Sequence, residues 1–581
     1  MPDRVLAYKQ RALAVDWSRI LLLAIAAIPA FMIVGLLVMV ARMSFQSGIP
    51  GQTSPYTLSN YQVLLVDPYN YRVMLTSVAF AAVTLAVSVP LGFVFAWFVE
   101  RSDLPYKTLA TSLLSMGMLI PTFLKAMGWV FLLHPRIGVV NIFLVEVFGF
   151  KRSPFNIGTI FGIGFVQGLT LTPVAFLMIS AALRNMNPAL TEAAGVHGVG
   201  RLKTLLRIEL PVIWPALLAV IIWIFTIAMA TFDVPAVIGM ANNIFTISTA
   251  LYFMINPLEG LPKYGLSGAY GTIMIGLSFL LMAPYFSALK RSHRYQIISG
   301  KGYQAKVIEL GRWRVAGWTL LGLYILLAFI MPLLALVWVS VLPYVQVPSW
   351  QALTSLSFER YTVLLGDVGL MRAAVNTLVL MFIVPTLILI VSTAISWIVT
   401  RSDIKGRFIL DAVAFLPHLV PNLLFALAIA YLALLISNVI PLYGTIYVLM
   451  AVYVVCWISF GTRVLNGSMI QVHKELEEAA RVGGVRTFRI LRKIILPIIR
   501  PGVVYAWIWT SMLAYRELTA AVLLASPKNQ VISTFIWGEW ATGGMGEAAS
   551  AGVLMMVIML PLIVGFWIFA GRQHMASSAV S

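Results

Sequence analysis

Two stretches of this sequence repeat one spacing. Glu192-Ala193-Ala194 is followed by Gly198 and, ten residues later, by Ile208-Glu209-Leu210-Pro211. Glu478-Ala479-Ala480 is followed by Gly484 and by Ile494-Ile495-Leu496-Pro497 at the same intervals, every position displaced by 286. The chemistry on offer is recognition rather than bond-breaking. Asn187-Pro188 starts a helix, and a glutamate early in a short helix meets the positive end of its dipole. Two alanines favour the helix and add almost no bulk, and the glycine ends it in a sharp turn. The basic stretch that follows is expected to pack along the membrane face, and Pro211 and Pro497 to open the next segment. The product is a short, small-sided helix suited to a groove on another protein. Glu-Ala-Ala alone is common helix sequence, but two copies with matched glycine and Ile-x-Leu-Pro spacing are not. Thr191 and Gly195 stand where the second copy has Glu477 and Arg481, so the two sites can differ in strength.

Catalysis has no foothold. There is no Gly-x4-Gly-Lys-Ser/Thr phosphate loop; Gly300-Lys301-Gly302 fails because residue 295 is Tyr and residue 302 is neither Ser nor Thr. The six histidines show no metal spacing and Cys456 is alone, so neither a metal nor a disulfide framework is expected. No serine–histidine–acid pattern is present, so no catalytic residue is assigned.

These motifs sit in a chain of 581 residues of which only 10% are charged, while 60% belong to the hydrophobic set. A soluble protein carries about one quarter charged residues. The net charge of +19 does not indicate nucleic acid, because the basic residues lie in short loops between apolar runs. There they orient helices and meet anionic lipid. About 20 apolar residues cross a bilayer. Twelve such segments are expected, near 20–41, 73–99, 108–133, 156–183, 210–232 and 264–289, then 315–342, 373–400, 408–437, 443–460, 501–515 and 548–571. The first is expected to be retained as a helix rather than removed as a signal. With both termini in the cytoplasm, the inside segments hold about three times as many Lys and Arg as the outside ones. The expected class is an all-α polytopic protein of two parallel six-helix repeats. Arg101-Ser102-Asp103 recurs as Arg401-Ser402-Asp403, and Pro121 as Pro421, both displaced by 300. The later offset of 286 leaves 14 extra residues in the first half, expected in the outer loop around 134–155. The halves are residues 1–290 and 315–581, joined by a basic cytoplasmic linker at 291–314, with the docking loops at 184–210 and 467–497. A pathway between the halves follows from their parallel relation.

Four ionisable residues fall at membrane depth, where charge is costly and usually lines a cavity. By helical rise Asp233 is expected near the external surface, with Arg516 and Glu517 in the outer part of the membrane. Together they suggest a polar outer vestibule. Lys125 lies two thirds of the way along the third segment and is expected to snorkel outward.

The doubled Glu-Ala-Ala, Gly, Ile-x-Leu-Pro pattern resembles the signature of permease subunits of binding-protein-dependent type I ABC importers. The resemblance covers nearly the whole chain. It implies that the short loops are coupling helices, with Glu192, Ala193, Ala194 and Gly198 docking one copy of a separate ATPase and Glu478, Ala479, Ala480 and Gly484 docking a second. It also implies a periplasmic or extracellular solute-binding protein, a bacterial inner-membrane location, and ATP and Mg on the partner subunits with no cofactor in this chain. Phe232-Asp233-Val234-Pro235, Arg516-Glu517-Leu518-Thr519 and the fusion of two halves are similar to ferric-iron importer permeases, and to thiamine, phosphonate and polyamine permeases. An ion-driven secondary transporter would also have parallel halves, but it does not call for matched docking loops.

Overall fold

The computed structural model describes residues 17–48, 50, 55–186, 189–257, 259–293 and 308–578. Among these the chain is helical, with no strand beyond two isolated bridges. All twelve expected segments are helical. In the first half they are Trp17–Ser44, Pro68–Arg101, Lys107–Met116 with Thr122–Leu133, Ile160–Arg184, Arg201–Ala230 and Tyr264–His293. In the second they are Trp313–Ser340, Val368–Arg401, Arg407–His418 with Asn422–Leu435, Ile446–Ile470, Thr487–Ile498 with Arg500–Arg516, and Met545–Ser578.

The third and ninth spans are broken where the sequence repeats a proline. Pro121 (φ −53°, ψ 132°) and Pro421 (φ −53°, ψ 131°) hold nearly the same backbone conformation ahead of Thr122 and Asn422. Proline has no N–H for the preceding turn and biases the residue before it away from helix. The ninth span bends there by 100°.

Three expectations are corrected. The tenth span reaches Ile470 rather than stopping near residue 460. Arg463 stays helical because it pairs with Asp411 at 2.5 Å and lies over the Phe415 ring. Pro211 does not open the fifth span, since a continuous helix runs through it from Arg201 to Ala230. Its missing donor and ring are absorbed by a π turn at Leu205–Glu209, repeated at Leu491–Ile495 ahead of Pro497. The eleventh span then bends by 80° at Ile499, which the fifth does not. Third, the 14 extra residues are not simply loop. They include a helix at Val139–Phe148, tied down by Asn141, whose amide donates to the Leu133 and Phe155 carbonyls at 3.0 and 2.8 Å.

The repeat is geometric. Pro68–Arg101 and Val368–Arg401 differ by 300 at both ends, and Ile160–Arg184 and Ile446–Ile470 by 286. Asp67 and Asp367 cap the second and eighth spans, accepting from Tyr69 N–H at 2.9 Å and Leu370 N–H at 2.7 Å. The first span of each half crosses to the other half. Trp17–Ser44 packs on Val368–Arg401 and Asn422–Leu435, while the Met331–Ser340 end of Trp313–Ser340 packs on Thr122–Leu133. The Tyr324 hydroxyl donates to the Leu169 carbonyl across the halves at 2.9 Å.

Within each half the second and fourth spans touch through small residues, the usual device for close helix approach in lipid. A Cβ on Gly92 would lie 2.5 Å from that of Ala175. At the repeat-equivalent crossing the roles are exchanged: a Cβ on Gly461 would lie 2.6 Å from Ser392 Oγ. One partner must be glycine, and either helix can supply it. Gly92→Ser alone overpacks the contact and should cost about 1–3 kcal/mol. Gly92→Ser with Ala175→Gly removes the side-chain clash but leaves the Phe176 backbone nitrogen 2.9 Å from the new Cβ, so it should recover only part of that loss. Melting of the purified variants in detergent checks both outcomes.

Candidate functional site

The two Glu-Ala-Ala stretches form short helices, Ala189–Val196 and Glu475–Val482, at equivalent places. Each ends in the same closure. Val199 N–H donates to the Ala194 carbonyl and Val485 N–H to the Ala480 carbonyl, both at 3.0 Å. Gly198 (φ 71°) and Gly484 (φ 75°) take the left-handed conformation this closure needs. Ala193, Ala479, Glu478 and both glycines are exposed, Ala480 is partly exposed, and Ala194 is buried. The Glu192 side chain and Asn187-Pro188 lie outside the described residues. Each helix carries one strongly exposed apolar residue near its end, Val196 at 87% and Val482 at 89%.

Behind these matched faces the anchoring differs. In the second half Arg401, at the end of the eighth span, pairs with Glu477 of the short helix at 3.1 Å, the side chains being 3% and 5% exposed. Arg401 also donates to the Met469 and Val472 carbonyls. In the first half Arg101 occupies the Arg401 position and Thr191 the Glu477 position. Arg101 Nε and Nη2 and Thr191 Oγ1 are buried without a hydrogen-bond partner, as are Arg401 Nε and Glu477 Oε1 despite their ion pair, and the acids facing Arg101 are Glu209 and Glu100. That half is held instead by Arg184–Glu100 at 2.7 Å and by the end of the linker. Ile308 N–H donates to the Arg101 carbonyl at 2.9 Å, Asp103 N–H to the Ile308 carbonyl at 3.0 Å, and Arg201 to the Glu309 carbonyl at 2.7 Å. The Arg314 guanidinium and Leu310 N–H hold the Asp103 carboxyl down to about 2. Linker residues 294–307, including Gly300-Lys301-Gly302, lie outside the described residues.

The four charges at membrane depth converge on the boundary between the halves. Asp233 Oδ1 accepts from the Thr519 hydroxyl at 3.0 Å. These two residues are 286 apart, so they are repeat partners. Repeat partners that touch must lie beside the axis relating the halves. Arg516 reaches from the second half to donate to the Met118 carbonyl. Lys125, 1% exposed, donates to the adjacent Gly117 carbonyl at 3.1 Å and sits 5.5 Å from the centre of the Phe329 ring. Both cations therefore cap the carbonyl end of Lys107–Met116, the negative pole of that broken helix. Glu517, 8% exposed, accepts from Ala520 N–H at 3.0 Å. This corrects one expectation: Lys125 does not snorkel outward but reaches back to the break in its span. Asp233, Arg516 and Thr519 stay partly exposed, and buried segments at Pro235–Gly239 and Ala521–Leu524 follow the charges in each half.

A family profile described as binding-protein-dependent transport system inner membrane component matches residues 88–294 and again 392–574. The chain belongs to this family. It is a fused, two-repeat permease of the type I ABC importer class. A ferric transport system permease protein, FbpB, of Actinobacillus pleuropneumoniae is 25% identical to it over 536 residues, covering 89% of this chain and 74% of that protein. A putative ferric transport system permease protein of Haemophilus influenzae is 26% identical over 478 residues, covering 81% and 72%. The spermidine/putrescine permease PotB of Escherichia coli is 26% identical over 231 residues, or 39% of this chain and 81% of that one.

Sequence reasoning about this permease singled out Glu192 and Glu478 for docking and noted Glu477 only as the residue opposite Thr191, not as the partner of Arg401. The signal was present, since Arg101 and Arg401 recur at the same offset and an arginine at a span end needs an acid. It also missed Thr519, which carries no charge and shows its place only through contact with Asp233. The helices at Ile247–Ile255 and Ile532–Ala541 were missed as well, being too short to register as spans.

Proposed function

We propose that this permease forms the solute pathway of an ATP-driven importer for ferric iron, docking two copies of a separate ATPase through its short helices. The observation that carries the reading is the matched pair: two exposed helices, 286 residues apart, closed by the same left-handed glycine turn. Glu192, Ala193 and Gly198 form one docking face, with Ala194 buried behind it rather than on it, and Glu478, Ala479, Ala480 and Gly484 form the other. Both faces and both termini are cytoplasmic, by the excess of Lys and Arg in those segments. ATP and Mg2+ are held by the partners. A binding protein delivers solute at the opposite face, and closure of the ATPases rocks the halves about the axis marked by Asp233 and Thr519. Ferric iron is favoured because the ferric relatives match along most of the chain, whereas the polyamine permease matches 39% of it. The test is iron uptake by proteoliposomes holding the permease, its ATPase and the binding protein. Uptake should require ATP and all three components. Uptake driven by an ion gradient without ATP would instead make the protein a secondary transporter.

A further inference from the structure

We infer that the last residues of the linker, 308–314, are a strap that carries motion between the first docking loop and the seventh span, with Asp103 as the residue that positions it. The inference rests on the proposed function for that motion, but the strap stands on its own bonds. Ile308 lies beside Ser102 in an isolated parallel bridge. Its N–H donates to the Arg101 carbonyl at 2.9 Å, and its carbonyl accepts from Asp103 N–H at 3.0 Å. The two carboxylate oxygens of Asp103 take different partners. Oδ1 accepts from Leu310 N–H at 2.9 Å, and Oδ2 pairs with the Arg314 guanidinium. One side chain thereby fixes both sides of Gly311, whose φ of 54° makes the turn into Trp313–Ser340. Leu310 and Leu104 are buried, and a Cβ on Gly317 would lie 3.2 Å from the Leu104 side chain. The Trp318 indole N–H donates to the Pro105 carbonyl at 3.3 Å. The start of the seventh span is thus fastened to the end of the second.

The same strap reaches the docking loop. Arg201–Thr204 packs on the short helix Ala189–Val196, and the Arg201 guanidinium donates to the Glu309 carbonyl at 2.7 Å. A push on the first short helix therefore meets Glu309 and, through Arg314, the seventh span. That span belongs to the second half but crosses to the first, packing on Thr122–Leu133 and bonding the Leu169 carbonyl through Tyr324. A passive tether needs none of these bonds. The second half shows what the strap replaces. There the Arg-Ser-Asp stretch works through its arginine, Arg401 on Glu477, while Asp403 is exposed and forms no ion pair among the described residues. In the first half Thr191 stands in the place of Glu477, and the aspartate carries the attachment. One short helix is anchored within its own half and the other to a span of the opposite half. Coupling through such a joint acts in both directions, so a signal from the binding protein reaches the ATPase by the same bonds.

The test uses the complete transporter in proteoliposomes. ATP hydrolysis is measured with and without the binding protein, purified with its own solute, and 55Fe(III) uptake is counted in parallel. Asp103→Asn keeps the shape and an oxygen for Leu310 N–H but removes the charge facing Arg314. It should lower the stimulation of hydrolysis by the binding protein roughly threefold, the scale of a partly exposed ion pair, and raise the ATP hydrolysed per iron imported. Arg314→Lys keeps the pair and should retain most of the stimulation. Asp403→Asn, at the repeat-equivalent place, should change neither quantity. Unchanged stimulation in Asp103→Asn, or equal losses from Asp103→Asn and Asp403→Asn, overturns the strap and leaves the proposed function standing. Uptake and hydrolysis falling together at an unchanged ratio would make these bonds structural alone and also overturns it. The expected pattern of stimulation without iron uptake supports the strap and overturns the iron reading. Wild type showing neither stimulation nor uptake overturns both.

Discussion

Gly198→Val with Gly484→Val abolishes ATP-driven uptake while the chain remains inserted in the membrane. Both glycines sit at positive φ, 71° and 75°, with open space around the position of a Cβ. The cost is therefore conformational rather than steric crowding by neighbours. A left-handed residue with a side chain costs roughly 1–2 kcal/mol, and a β-branched one is the least tolerant. The helix end escapes this strain by opening the closures from Val199 to Ala194 and from Val485 to Ala480, which displaces the exposed Val196 and Val482. Nothing lies within 4 Å of the added Cβ atoms, so the transmembrane helices keep their packing. Gly195 supplies the opposite control. It lies inside Ala189–Val196 at an ordinary helical φ with open space around it. Gly195→Ala should leave uptake unchanged and stabilise the loop by about 0.5–1 kcal/mol. Uptake, membrane insertion and co-purification of the ATPase are the three readouts. Wild-type uptake in the double valine variant would remove the basis for the docking faces.

The second large effect is unequal between the halves. Glu477→Ala leaves Arg401 buried without its acid, and breaking a buried pair from one side costs about 3–5 kcal/mol. The loss falls on the contact joining the second short helix to the eighth span, so uptake should drop steeply. Thr191→Ala, at the equivalent place, removes a hydroxyl that bonds nothing and should be nearly silent. Thr191→Glu offers Arg101 Nε and Nη2, which hydrogen-bond nothing although Glu209 and Glu100 face the guanidinium, a carboxylate on the same helical frame. It should raise the melting temperature through a charged hydrogen bond of about 1.5–3 kcal/mol. Equal losses from Glu477→Ala and Thr191→Ala would show that the Arg401 pair carries no special share of the coupling. The unequal result would mean that motion of the ATPases enters the second half through a rigid joint and the first through a looser one.

Much of this architecture was legible because its causes are local. Apolar runs of spanning length, lysines and arginines in the loops, and glycine after a small-sided helix act within a few residues of where they are written. The 300 and 286 offsets aligned the halves before any contact was known, and the helix bounds keep them. The breaks in the third and ninth spans were half legible: Pro121 and Pro421 were seen as equivalent but not as interruptions, since an apolar run shows its length and not its bend. What only the tertiary structure decided involves partners distant in sequence. Arg401 meets Glu477 across 76 positions and Asp233 meets Thr519 across 286. Lys125 turns back to Gly117 because the broken helix leaves a free carbonyl there. Charge at membrane depth is visible in a sequence; the partner that makes it tolerable is chosen by packing, which brings together residues whose spacing carries no period.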